Sequence, residues 1–84
     1  SRMCVKRRLR FLDFAAKPAK AKKLLDIGCG DGSFLLAARE TGWEVMGTEL
    51  NPQPARGSGL DVKEGIEQVP DGTQFDCITM WHSL

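Results

Sequence analysis

The stretch from Leu24 to Phe34, LLDIGCGDGSF, sets three glycines at alternate positions between a short apolar run and a return to apolar residues. Glycine inside a strand or helix costs about 0.5–1 kcal/mol relative to alanine. Three so close together mark a backbone that turns sharply and lets something approach it. The apolar run before them suits a brief buried strand, Leu24 to Gly28. After them, Ser33 to Thr41 reads as a helix, with Phe34, Leu35 and Ala38 on one face and Gly42 as its stop. A strand, a glycine turn and a helix in succession present backbone N–H groups and a positive helix end to a ligand.

The remaining segments extend this unit into a sheet. WEVMGTEL, residues 43–50, predicts a second strand, apolar at Trp43, Val45 and Met46. Pro52 and Pro54 allow at most a short helical turn in NPQPARGSG. LDVKEG, residues 60–65, predicts a third strand, and IEQVPDGTQ a loop turning at Pro70-Asp71-Gly72. FDCITMW, residues 75–81, predicts a fourth strand. The fold class is therefore α/β: an open, doubly wound, mostly parallel sheet of about four strands. Its ligand site is expected beyond the carboxyl ends of the strands.

Ahead of the sheet lies a segment of different character. CVKRRLRFLDFAAK places Val5, Leu9, Leu12 and Ala16 at helical spacing with bases on much of the other face, and Pro18 ends the pattern. Residues 1–23 hold nine Lys and Arg against one acid, whereas residues 24–84 hold three against ten, within a net charge of +1. The division expected is a basic amphipathic helix with its linker, 1–23, and a sheet body, 24–84. Three roles stay open for the basic arm: packing on the body, contact with nucleic acid, or a lid over the ligand pocket. Arg7, Arg8 and Arg10 without interleaved surface aromatics make the nucleic-acid signal weak. No apolar run approaches the roughly 20 residues of a membrane span. Cys4, Cys29 and Cys77 are scattered and form no metal-ligand cluster or even disulfide set, so a reducing, cytoplasmic setting is the simplest expectation.

Spacing and charge narrow the ligand. In the dinucleotide fingerprint the third glycine falls three residues after the second; here Gly32 falls two after Gly30. Asp26 precedes the turn, Asp31 lies inside it, and Glu49 closes the second strand about 20 residues on, where an acid chelates ribose hydroxyls. Carboxylates at the turn repel a diphosphate and favour ammonium and sulfonium groups.

Asp26-Ile27-Gly28-Cys29-Gly30-Asp31-Gly32 resembles the first motif of the class I S-adenosylmethionine-dependent methyltransferases, whose fold is Rossmann-like. Glu49 resembles the acid ending their second strand. FDCITMWHSL resembles the strand before their catalytic region, in a subgroup with a Trp-His pair followed by Leu. The resemblance implies that Gly28, Cys29, Gly30 and Gly32 wrap the methionine part of S-adenosylmethionine, and that Asp26 holds its amino group, directly or through water. It implies that Glu49 binds the ribose and that Leu50 flanks the adenine. The loop after the third strand, at Gly65, Ile66 and Glu67, would recognise adenine, with Ile66 where many members carry aspartate. Met80 and Trp81 would lie near the transferable methyl. No catalytic residue is assigned; His82, the one histidine, is the candidate general base. Class I domains are about twice this length, so the chain reads as a truncated, cofactor-binding half, inactive by itself, with an unidentified methyl acceptor. A bare edge on the fourth strand would favour a homodimer.

Two other readings compete. One is an oxidoreductase domain binding NAD or FAD through an irregular glycine motif. The other is a non-catalytic module that binds a small ligand or RNA.

Overall fold

A computed structural model of the protein describes residues 22–81. The expected amphipathic helix within residues 1–23 and the candidate base His82 lie outside the described residues. Four strands form one sheet: β1 (Lys23–Ile27), β2 (Glu44–Thr48), β3 (Val62–Lys63) and β4 (Cys77–Met80). Their order is β3-β2-β1-β4 and every pairing is parallel. The register runs from Lys23 opposite Glu44 to Ile27 opposite Thr48, and from Leu24 opposite Cys77 to Ile27 opposite Met80. The direction of winding reverses between β1 and β4, and open α/β sheets bind their ligands at such a switch point.

β1 has the expected length, shifted by one residue, whereas β2, β3 and β4 are shorter than their apolar runs suggested. β4 begins at Cys77 because the Lys23 N–H, in place of a ladder partner, donates to the Asp76 carboxylate at 2.8 Å. β3 is a two-residue edge strand whose Lys63 pairs with Asp61, the residue just before the strand, at 3.2 Å, and short charged edges resist unwanted pairing. Trp43, assigned to a strand from sequence, precedes β2 and packs half-buried against the core.

Helix α1 (Ser33–Glu40) covers one face of the sheet. Leu35 is its fully buried residue and clusters with Leu24, Cys29, Ala55, Leu60, Val62 and Cys77. The helix ends as expected: Gly42 adopts φ +103° and its N–H donates to the Arg39 carbonyl at 3.0 Å. Helix α2 (Gln53–Gly57) fits the two prolines because its first turn lacks carbonyl partners for their missing N–H groups. A single 3-10 turn, Ile66–Gln68, sits in the segment read as loop. Side chains alternate across the sheet, so Leu25 faces away from α1, flanked in register by Met46 and Ile78, and is itself buried.

Cys29 is free and buried, and Cys77 is buried in β4. Among the described residues no helix is long and apolar enough to cross a membrane.

Candidate functional site

A parallel sheet brings all its carboxyl ends to one side. There the chain gathers the turn after β1, Glu49 and Leu50 after β2, Gly65 to Glu67 after β3, and Met80 and Trp81 at the end of β4. Segments far apart in sequence meet here because Ile27, the last residue of β1, has Thr48 on one side and Met80 on the other.

The glycine turn is folded back onto β2. The N–H groups of Gly28 and Cys29 both donate to the Thr48 carbonyl, at 2.8 and 2.9 Å. The Gly32 N–H donates to the Cys29 carbonyl at 3.0 Å, and the Ser33 N–H to Asp31 Oδ1 at 2.9 Å, where α1 begins. The Gly30 N–H donates to Glu49 Oε1 at 2.9 Å. The second carboxylate oxygen of Glu49 accepts the Asn51 N–H at 3.3 Å. Glu49 thus spans the turn from the neighbouring strand, held by two backbone donors.

The glycines divide by role. A Cβ at Gly28 or Gly30 would meet nothing within 4 Å, so these two border open space. Gly30 sits at φ +61°, a conformation that costs an L side chain about 1–2 kcal/mol. Gly32 faces inward instead: a Cβ there would collide with the Leu60 side chain and lie 3.2 Å from Ala55 Cβ. Its place in the motif serves the packing of the turn on α2 and on Leu60, the residue leading into β3.

Burial sorts the other residues singled out from sequence. Asp26 is 0% exposed, and Thr79 Oγ1 donates to its Oδ1 at 2.8 Å. The carboxylate braces β1 against β4 beneath the turn. Cys29 is likewise buried. On the outer side, the exposed large hydrophobic residues among those described are Leu50, Ile66, Met80 and Trp81. All four stand at the carboxyl end of the sheet. Apolar side chains left bare together beside a backbone turn form a surface suited to an aromatic or aliphatic ligand. Glu67 folds back over its own loop, so that a Cβ at Gly65 would lie 2.5 Å from its carboxylate oxygens.

Sequence reasoning missed Thr48 and Thr79, buried polar residues that hold the turn and Asp26. Their signal was a threonine at or near the carboxyl end of each strand, EVMGT and CITM. Among the described residues no group of His, Cys, Asp and Glu is arranged to hold a metal ion.

A family model for a methyltransferase domain matches residues 2–84. The chain belongs to that family. The comparison with curated proteins found no match. The methyltransferase domain accounts for the Rossmann-like topology, with its parallel strands, its glycine turn and an acid at the end of β2. The match begins at residue 2, so the family pattern takes in the basic N-terminal segment as well as the sheet.

Proposed function

We propose that this methyltransferase domain binds S-adenosylmethionine at the carboxyl end of its sheet and donates the methyl group to an acceptor outside the segment described. The observation that carries the reading is the joint position of Glu49 and the four exposed apolar residues around the open face of Gly28 and Gly30.

These residues suit the ligand chemically. Glu49 is half-buried and fixed by two N–H donors, which orients its carboxylate while lone pairs remain for a ribose diol. Leu50 and Ile66 supply apolar surface for a purine, and Met80 and Trp81 for the methionine chain. Aromatic and thioether side chains also tolerate a sulfonium well. The acidic surroundings of the turn favour a ligand with cationic groups. S-adenosylmethionine supplies a methyl group already activated by the sulfonium. What remains for this chain is to bind, to orient and to exclude water. Asp26 and Thr79 serve that end indirectly, by holding the turn's shape. His82, the one histidine of the chain, follows Trp81 in sequence and is assigned no step.

The test is calorimetric titration of the chain with S-adenosylhomocysteine, with NADH in parallel. Binding of S-adenosylhomocysteine alone, abolished in Glu49→Ala, is the expected result. Binding of NADH in its place would turn the reading towards an oxidoreductase, and a folded chain that binds neither would sink the cofactor assignment.

A further inference from the structure

An edge strand leaves a row of backbone groups with no ladder partner. Along β3 the Asp61 and Lys63 carbonyls point towards β2 and accept the Gly47 and Glu49 N–H groups at 3.0 and 2.9 Å. Backbone groups alternate in direction along an extended chain, so the Val62 carbonyl and the Glu64 N–H point outward. Side chains of this chain take both. Arg56 Nε and Nη2 donate to the Val62 carbonyl at 2.9 and 2.7 Å, and the Glu64 N–H donates to Gln68 Oε1 at 2.9 Å.

These two side chains connect separate walls of the site. Arg56 follows Ala55, which is 0% exposed and stands with Leu60 where a Cβ on Gly32 would collide. The Arg56 N–H is tied to the Pro52 carbonyl at 2.9 Å. A guanidinium is a rigid fork, so its two bonds to one carbonyl fix the separation of α2 from β3. Gln68 continues the chain of contacts: its N–H donates to the Gly65 carbonyl at 3.0 Å while its side chain returns to Glu64. The loop it closes carries exposed Ile66, and Glu67 lies back over Gly65. Reading the polar edge of a purine with this loop then falls to its backbone, which discriminates well only where it is held in place.

We propose that Arg56 and Gln68 are positioning residues: by closing the outer edge of β3 they fix the Gly65–Gln68 loop relative to the glycine turn, and so sharpen the choice of purine base. The proposal rests on the cofactor reading above and adds two residues that act through the loop rather than on the ligand.

The experiment measures, by calorimetry, the ratio of affinities for S-adenosylhomocysteine and S-inosylhomocysteine, which carries an oxygen in place of the adenine amino group. Wild type is compared with Arg56→Ala and Gln68→Ala. A variant that is merely less stable loses affinity for both ligands by the same factor, so the ratio does not respond to it. Wild type is expected to prefer the adenine ligand by at least about tenfold, and each alanine variant to bring the two within about threefold. Circular dichroism establishes folding. Should Arg56→Ala not fold, Arg56→Lys, which keeps the charge but not the planar pair of donors, takes its place, with a ratio at least about twofold below wild type. Equal binding of the two ligands by the wild type, or a wild-type ratio kept in any of these folded variants, overturns the proposal and leaves the nucleoside site standing. A wild type that binds neither ligand overturns the cofactor reading itself, and this proposal with it.

Discussion

Replacing Gly47 by alanine tests how tightly the glycine turn is keyed into the sheet. Gly47 lies in β2, on the α1 face. An added Cβ would come 2.7 Å from Cys29 Sγ, 2.8 Å from Leu35 Cδ1 and 3.1 Å from Cys29 Cβ. Neither neighbour has room to withdraw, since Cys29 is 3% exposed and Leu35 is 0% exposed. The strand itself is tied by the Gly47 N–H to the Asp61 carbonyl at 3.0 Å. Gly47 is not in the left-handed region, so alanine meets no backbone strain there and gains about 0.5–1 kcal/mol from reduced chain entropy. Overpacking a close-packed core costs about 1–3 kcal/mol. The clash is the larger effect, and the expected net loss is about 1–2 kcal/mol. For a domain of this size each kcal/mol moves the melting temperature by about 4–8 °C, so thermal unfolding followed by circular dichroism should fall by about 5–15 °C. Cys29→Ala removes the nearest of the three contacts, so the double variant should lose less than the two single losses combined, by about 0.5 kcal/mol or more. A Gly47→Ala protein that melts at or above the wild-type temperature would refute the reasoning, as would strict additivity in the double variant.

Two further outcomes follow from other parts of the sheet. Thr79→Val keeps the shape of the side chain but removes the hydroxyl that donates to buried Asp26, and should cost about 1.5–3 kcal/mol in chemical denaturation, whereas Thr79→Ser should recover most of it; equal losses in both variants would assign the effect to packing instead. β4 is the outer strand of the described sheet and carries exposed Met80 and Trp81, so sedimentation should detect dimers that grow with protein concentration; a single monomer boundary at high concentration would dismiss pairing through that edge.

Much of the site was legible because it is encoded locally. The alternate glycines announce a turn whatever surrounds them, and the spacing of Phe34, Leu35 and Ala38 marks α1 because helical periodicity is a property of near neighbours. The acid about 20 residues beyond the turn follows from the length of one helix and one strand. The two prolines limited α2 to a single short turn, as found in Gln53–Gly57. Strand boundaries were less legible, since they depend on partners: Asp76 sets the start of β4 only because Lys23 lies opposite it.

The amino-acid sequence alone thus determined the order of elements, the glycine turn and the set of residues at one end of the strands. It did not determine which of those residues face a ligand. Asp26, Cys29 and Gly32 belong to the same motif as Gly28 and Gly30, yet the first three are buried and the other two border open space. That division depends on register. Thr79 lies opposite Asp26 from 53 residues away, and Thr48 and Glu49 meet the turn from the neighbouring strand. Periodicity along a chain says which way a side chain points relative to its own element. Only the packing of one element on another decides whether it points into the core or into the site.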